Sequence, residues 1–572
     1  MDQSAYTQHL NAIVHLPSIQ DLKKIKSKDH GQSEVIVAGR YHYRFVLNDS
    51  SSVDDVSVVE DLEKKGHWIL QKPNAIYASD FAVSNIKRSQ SKYLQVAYDA
   101  ATRLGTVFIV DDEFWVGPTE LESGIYIYLR SHSEMAFSQN GKLRVLPTAT
   151  QGYHVLYAYD IEDYRLLNAN LEGDRFTHLG TKGEWGYGLT IYQSKGGYIY
   201  KPRVINMWGD GIYIGNKWGT ASGIPQNITI IEPYISQARR NGISFTAGEN
   251  ILIQRPYIEK TNGTAPQAGI DIEPEEATST LSVIKQSVIE DATLVDNVEA
   301  ITLYLNKDKR HVDLKFLGKT QVKNTTSNKD KLSIYKFVDQ IDQKQTGKIY
   351  FEHLQWESKN PSAEISSVFF DTGLDIVFNK LEYTGATEDL TLFYTGHVIP
   401  NYPYGGLSFH NLTGKSLKQW GQSTYFVQSG ADKLVSNLQL DSDKKINTVF
   451  NHEYAAVTLG VTSFIKPRVE YLQHNTSTLY LPQNIDLVGD GQTKDAVQFD
   501  TKNDFRKLKF TARIQQGIQG RELYIKGLNV IIDGKSKHKA RSQSAGAWIE
   551  LENVKDGATL IYDSFGKWQF ED

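Results

Sequence analysis

The sequence predicts an all-β chain built on a parallel β-helix, and two repeats running in step predict it. The first is Gly188-Leu-Thr-Ile-Tyr192, Gly211-Ile-Tyr-Ile-Gly215, Gly242-Ile-Ser-Phe-Thr246, Gly269-Ile-Asp-Ile-Glu273 and Ala300-Ile-Thr-Leu-Tyr304. Starting positions 188, 211, 242, 269 and 300 give a period of 23 to 31 residues. Self-similarity at such a period marks a solenoid, and period-2 alternation makes each unit a strand with one buried face. The second is Pro202-Arg-Val-Ile205, Pro233-Tyr-Ile-Ser236, Pro256-Tyr-Ile-Glu259 and Ser287-Val-Ile-Glu290. Two strands per repeat, each stacked on its counterpart, describe the β-helix, because no single coil can bury its own apolar face. Proline is tolerated at a strand's first residue, where its missing N–H lies outside the ladder.

Composition narrows the classes. At 572 residues the chain is too long for one compact core, a limit a solenoid does not share. It has no Cys, which excludes disulfides and thiolate metal sites. A net charge of −5 argues against a general nucleic-acid binder. The 32 Tyr and 9 Trp suit β structure and supply platforms for sugar rings. Met1 to Gln20 carries Asp2 and no unbroken apolar run, so it is not read as a signal peptide, and no stretch approaches a membrane-spanning helix. The chain is expected to be soluble and made in a cytoplasm.

Taken in order, residues 1–75 read as a small separate unit. Ile19 to Ile25 has helical spacing after Pro17 and Ser18, Val35 to Tyr43 reads as a strand, and Lys64 to Lys72 reads as its partner. Residues 76–149 hold an amphipathic helix, Ser91 to Leu104, ended by Gly105, and then strands at Thr106–Val110, Glu113–Val116 and Ser123–Leu129. Such a helix covers the open end of a β-helix, where edge strands and core are otherwise bare. Residues 150–395 form the body, its later coils less regular. From 396 to 572 short β-like runs such as Ser423–Val427, Thr478–Leu481 and Glu522–Ile525 alternate with Gly, Asn and Asp, which predicts one or two C-terminal antiparallel β-sandwich modules.

On the repeated strands the apolar residues go inward, leaving an outward ladder of Thr190, Tyr213, Ser244, Asp271 and Thr302, beside Tyr192, Gly215, Thr246, Glu273 and Tyr304. Asp271 and Glu273, two apart on one strand, share a face with Cα atoms roughly 6.5–7 Å apart. Paired carboxyls about 5–5.5 Å apart serve retaining, and about 6.5–9.5 Å apart inverting, glycoside hydrolysis; this pair can meet either figure depending on rotamers, so the stereochemical outcome is not readable, with inversion mildly preferred. Glu275 and Glu276 crowd the same pair, which favours a raised carboxyl pKa in one member. The same Asp-x-Glu pattern also fits a solvated surface pair. Glu184 in Gly183-Glu-Trp-Gly186 and Asp210 in Trp208-Gly-Asp-Gly211 precede strands of the ladder beside Trp185 and Trp208, and equally fit turns. Glu249 and Glu259 are weaker candidates. Tyr213, Trp185 and Trp208 offer rings for sugar faces, and Arg203, Arg239 and Arg240 offer cations for an acidic sugar or are surface charges. No Walker loop or Gly-x-Ser-x-Gly elbow is present, and the His residues lack metal spacing, with His353 beside Glu352 read as structural, so neither cofactor nor metal is expected.

The N-terminal pattern of helix, Val35-Ile-Val-Ala-Gly-Arg-Tyr41, an Asp/Ser-rich loop and Gly66-His-Trp68 resembles the segment that precedes the β-helix in bacteriophage tailspikes. The helix 91–104 and the strands after it resemble the start of pectate-lyase-like β-helices. Gly183-Glu-Trp-Gly-Tyr-Gly-Leu189, Trp208-Gly-Asp-Gly-Ile-Tyr-Ile-Gly215 and Gly269-Ile-Asp-Ile-Glu-Pro274 resemble segments of tailspike capsule depolymerases, closest to those of Acinetobacter phages. The resemblance covers roughly residues 10–390. It implies a homotrimer of right-handed β-helices on a virion tail, joined to it through the N-terminus and cleaving a bacterial capsular polysaccharide. It carries Glu184, Asp210, Asp271 and Glu273 over as acidic candidates.

The function expected is therefore an endo-glycosidase of a phage tailspike, with Asp271 and Glu273 as the main pair and Asp210 or Glu184 assisting. The alternatives are a polysaccharide lyase on the same fold, working by β-elimination, and a spike that holds glycan without cutting it.

Overall fold

The apolar alternation read from the sequence becomes a stack of parallel strands. The computed structural model is a parallel β-solenoid of about 8 turns. It describes residues 14–25, 35–118, 124–217, 223–274, 283–305, 310–325, 345–359 and 373–385, with separate strands between Lys331 and Glu571. The chain divides into two units, residues 1–212 with 228–234, and residues 213–227 with 235–572.

The first unit opens on a small sheet. Val35–Ala38 and Tyr41–Leu47 pair antiparallel, with Ala38 opposite Tyr41, so the single strand expected over Val35–Tyr43 is a hairpin. Gly39, at φ 59°, makes the tight turn that a residue with a Cβ resists. Gly66–Leu70 pairs with Tyr41–Leu47 as expected. The helix expected to reach Ile25 covers only Ile19–Leu22. The phenol of Tyr41 donates to Asp80 at 2.7 Å and accepts the Tyr77 N–H at 2.9 Å, tying this sheet to the segment that follows.

The helix Ser91–Leu104 forms where periodicity placed it and ends on Gly105 in the left-handed conformation. Its buried face, with Leu94, Ala97, Tyr98 and Ala101, packs on the strands Ala75–Tyr77, Val107–Val110 and Ile125–Tyr128. The helix therefore covers apolar area and strand ends of the kind an open coil leaves bare.

Each coil has three strand columns rather than two. In the first unit the front column holds Ile125–Tyr128, Gly152–Tyr159 and Trp185–Tyr192, paired in parallel. A column the repeats did not reveal holds Arg165–Leu167, Tyr198–Tyr200 and the end of Gln226–Ile231. The proline column holds Asn170–Glu172 and Arg203–Ile205. Leu166, Ile199 and Ile230 stack in register, as do Leu171 and Val204, all fully buried. Each such side chain contributes about 1.5–3 kcal/mol of burial, and only because the next coil covers it.

In the second unit Ile243, Ile270, Ile301 and Leu332 stack down the front column. Tyr257–Glu259 pairs with Thr293–Val295, whereas Ser287–Glu290 pairs with the strand Gly248–Gln254. The fourth member assigned to the proline column from sequence thus belongs to the unforeseen one. Phe316, Phe351 and Phe378 stack at 4.3 and 4.6 Å between ring centroids.

Between the middle and proline columns five successive coils turn on two residues. The first is left-handed, at Asn168 (φ 54°), Lys201 (49°), Glu232 (50°), Arg255 (50°) and Asp291 (51°). The second is Ala169, Pro202, Pro233, Pro256 or Ala292. A left-handed residue reverses the side-chain alternation at the corner, so the apolar face stays inward on both flanking strands.

The sandwich expected over 396–572 falls on residues whose side chains lie outside those described. Of the strands described there, Leu407–Lys415, Ser436–Asp441 and Ser463–Ile465 pair in parallel, as do Lys445–Val449, Arg468–His474, Ala496–Thr501 and Glu522–Lys526. Antiparallel pairing appears only among strands between Phe510 and Glu571.

The corners make a testable claim. Arg255→Val places a β-branched residue in the left-handed region and is expected to lower the thermal midpoint, at a cost above about 1 kcal/mol. Arg255→Asn loses the same side chain but tolerates the backbone and is expected to keep the midpoint. Equal midpoints for the two variants would show that the corner conformation is not limiting.

Candidate functional site

In the first unit the two Trp-Gly motifs lie one on the other at the start of the front strands. The Gly209 N–H donates to Gly186 O at 2.8 Å, and the Gly188 N–H to Asp210 O at 3.1 Å. A Cβ on Gly209 would stand 2.4 Å from Glu184 O, so this approach of backbones admits only glycine. Glu184 and Asp210 are thereby brought to one corner on successive coils. Glu184 is half-buried and Trp185 is 49% exposed, whereas Asp210 is fully buried.

Trp208 does not offer its face to solvent. It is 7% exposed, and the imidazole of His178 stacks on it at 3.7 Å with 15° between planes. His178 sits on the excursion between Asn170–Glu172 and Trp185–Tyr192, and its Nδ1 donates to Asp174 Oδ2 at 2.8 Å. Asp174, also buried, accepts the Tyr153 phenol on Oδ1 at 2.8 Å and the Thr148 N–H on Oδ2 at 3.1 Å. The Tyr153 oxygen in turn accepts the Trp208 N–H at 3.3 Å. Burial, and after it the charge of Asp174, holds the Tyr153 pKa well above that of a free phenol, so the phenol remains a donor. This network fixes the Trp208-Gly-Asp210 corner from beneath.

In the second unit the polar ladder of the front column is in register, with Ser244 beside Asp271, Asp271 beside Thr302, and Thr302 beside Ser333. It is not a solvated face. Ser244, Asp271, Thr302 and Ser333 are all buried. Asn241 bridges two coils, its amide Nδ2 donating to Asp271 Oδ2 at 2.8 Å and to Ser244 Oγ at 3.0 Å, while its Oδ1 accepts the Ala268 N–H at 3.0 Å. Glu273, just past the strand end, is partly exposed and lies 3.7 Å from Arg240 Nη2. Tyr213 is buried, and its hydroxyl accepts from Thr246 at 3.2 Å, so its ring is no open platform.

The remaining candidates are dispersed. Glu259 lies on the proline column, where it accepts from Ser236 at 3.0 Å and stands 3.5 Å from Lys260. Glu249 lies on the middle column and accepts from Gln226 at 3.0 Å. Arg203 lies on the proline column over the Tyr234 ring at 5.7 Å. Arg239 precedes Arg240 at the corner before the front strand, and its carbonyl accepts the Thr264 N–H at 2.8 Å. His353 pairs with Glu382 at 2.9 Å. Among the described residues no group of three or more His, Asp or Glu is placed to hold a metal ion, and no helix is long and apolar enough to cross a membrane.

Sequence reasoning missed Asn241, Asp174, His178 and Tyr153. Only the i, i+4 spacing of Asp174 and His178 carried any signal, and it lies on no helix or strand.

No protein-family model matches the chain. Among curated proteins it is similar to the SPbeta prophage-derived uncharacterized protein YorA of Bacillus subtilis (strain 168), 27% identical over 180 residues, 29% of this chain and 31% of that one. It is also similar to the uncharacterized protein YclG of the same bacterium, 29% identical over 143 residues, 23% of this chain and 24% of that one. The match thus spans a third or less of either relative.

Solved structures similar to it include phage tailspikes. A tailspike of Acinetobacter baumannii bacteriophage Fri1, a capsular polysaccharide depolymerase, is 14% identical with TM-score 0.38, over 79% of this chain and 75% of that one. The tailspike of E. coli bacteriophage HK620 in complex with pentasaccharide is 8% identical with TM-score 0.47, over 90% and 95%. An exopolygalacturonase of Thermotoga maritima is 13% identical with TM-score 0.41, over 60% and 92%. No residue role follows from similarities of this size.

The network under Trp208 is open to a direct check. Tyr153→Phe removes the atom that serves both Asp174 and the Trp208 N–H, leaving buried polar groups unpaired at about 1–3 kcal/mol each. A lower thermal midpoint and faster hydrogen exchange at the Trp208 amide are expected. Unchanged exchange there would remove Tyr153 from the support of the corner.

Proposed function

We propose that this protein is a phage tailspike depolymerase, an endo-acting glycoside hydrolase that cuts a bacterial capsular polysaccharide or exopolysaccharide. The observation that carries the reading is the Asp271–Glu273 pair on the front column of a parallel β-helix, with different surroundings for its two carboxyls. Asp271 is withdrawn from water and oriented by the Asn241 amide. Glu273 is partly exposed beside Arg240. Two carboxyls on one face, held in unlike environments, are what acid–base division of labour at a glycosidic bond requires.

Glu273 is the member a polymer reaches, and we assign it the direct proton transfer. Glu273 gives its proton to the glycosidic oxygen as that bond to the anomeric carbon breaks, a water attacks the carbon, and Asp271 takes the water's proton, which requires the buried carboxylate to meet that water once polymer is bound. A pair two residues apart can meet either the retaining or the inverting carboxyl separation according to its rotamers, and inversion is the preferred reading. Glu184 and Asp210 form a second acidic corner that assists binding or proton transfer. Assembly as a homotrimer, attachment to a virion tail through the N-terminal sheet, and action outside the host cell belong to the same reading. They are supported by the tailspike-like motifs at residues 35–68, 183–189, 208–215 and 269–274.

The test is the mass spectrum of capsular polysaccharide after incubation with the wild type and with Asp271→Asn and Glu273→Gln. Saturated repeat-unit oligomers are expected from the wild type, with a loss of at least about 100-fold in rate for each folded variant. Full activity in both variants would remove this pair from the chemistry. Products with an unsaturated terminal sugar would reassign the protein to the lyases, and polymer of undiminished length to non-cutting glycan binders.

A further inference from the structure

The outer face of the front column in the first unit carries a group of rings, of which Tyr187 also belongs to the Gly183–Leu189 motif that holds Glu184. Between the pairs His154–Tyr187 and Leu156–Leu189 the ladder skips Val155 and Gly188. Val155 and Leu156 are both fully buried, and the His154 ring lies against Tyr157 rather than following the strict alternation. Around it the rings touch one another. His154 lies 4.9 Å from Tyr157, 5.4 Å from Tyr187 and 6.2 Å from Tyr192. Tyr157 meets Tyr128 edge-on at 5.7 Å, Tyr192 edge-on at 5.7 Å and Tyr159 nearly parallel at 5.9 Å. The His154 Nδ1 is hydrogen-bonded to Thr190 Oγ1 at 2.7 Å.

Exposure divides this group. Tyr157, Tyr187 and Tyr192 are buried, and they fix the orientation of the others. Tyr128, His154 and Tyr159 are half-buried and border solvent. Tyr128 and Tyr159 come from successive coils, whose strands lie about 4.8 Å apart along the solenoid axis.

We propose that this face is a saccharide-binding subsite, with pyranose rings stacking on Tyr128 and Tyr159 and a sugar hydroxyl meeting the imidazole of His154. The chemistry of the face selects the ligand. A tyrosine ring combines an apolar face with a polar rim, and a pyranose presents the same combination, an apolar C–H face rimmed by hydroxyls. Half-buried Ile125, paired with His154, is an aliphatic neighbour of the rings, and the cation beside Tyr128, Arg130 at 5.6 Å from the ring, is bound to Asp99 at 2.8 Å. Rings held by other rings lose little freedom on binding, which favours a rigid, repetitive ligand. This inference rests on the reading of the chain as a polysaccharide-acting protein and adds a site to it.

The experiment uses the full chain carrying Glu273→Gln, so that polymer is not consumed, on an array of purified bacterial capsular and extracellular polysaccharides. For each polymer bound, Kd is measured again with Tyr128→Ala, Tyr159→Ala and Tyr159→Phe added, after thermal melting has shown each variant folded. Each alanine variant is expected to weaken binding about fivefold to tenfold, and Tyr159→Phe, which keeps the ring, to restore most of the loss. Unchanged Kd in both alanine variants overturns this subsite and leaves the proposed depolymerase intact. If the Glu273→Gln chain binds no polysaccharide on the array and the wild-type chain cuts none, both readings are overturned.

Discussion

A solenoid coil has to reverse direction without turning its apolar face outward, and in five successive coils a left-handed corner residue permits it. A strand alternates its side chains, so a plain right-handed bend would carry the inward set to solvent on the next strand. One residue at φ near 50° resets the phase, and the Ala or Pro after it starts the following strand inward. Five such corners hold non-glycine residues, each in a conformation that costs about 1–2 kcal/mol in an L-residue. That cost is borne because the flanking strands stack Leu166 on Ile199 and Ile258 on Leu294. Register, core and the direction of every outward side chain follow from it.

The same logic explains which parts of the architecture were legible. The front column announced itself because its strands begin on Gly or Ala and alternate over five residues. The proline column showed through Pro202, Pro233 and Pro256, which the structure places directly after the left-handed residue. The middle column had no such marker. Tyr198–Tyr200 is only three residues long and its corner residues are Asn, Lys, Glu, Arg and Asp, a set with no sequence signature. Ser287–Glu290 was drawn into the wrong column for that reason. Its spacing matched, but Ser287 stands where the other members have Pro.

The candidate site was legible in its acids and illegible in their surroundings. Asp271, Glu273, Glu184 and Asp210 stood out by type and position, and the structure does bring Glu184 and Asp210 to one corner. The degree of burial was not foreseeable. Residues between inward apolar positions read as outward and therefore wet, yet Ser244, Asp271 and Thr302 are dry: Asn241, from the turn before the strand, spans two coils and bonds Ser244 and Asp271, and Glu299 accepts from Thr302. Long-range partners of this kind leave no periodic trace. Tyr153 and Trp208, 55 residues apart, share one phenol oxygen for the same reason.

Burial of that kind changes what the aromatic residues can do. Trp208 and Tyr213 look from the sequence like sugar platforms, but one is stacked on His178 and the other is buried with its hydroxyl engaged by Thr246. They are supports, holding carboxyl-bearing corners in place. The rings that border solvent are elsewhere on the front column, Tyr128 and Tyr159 above buried Tyr157, with Trp185 at the start of the next strand. A platform needs one free face and a fixed back, and a single exposed ring has only the first. The outer tyrosines are rigid because both lean on buried Tyr157, Tyr128 from the preceding coil and Tyr159 from the same strand.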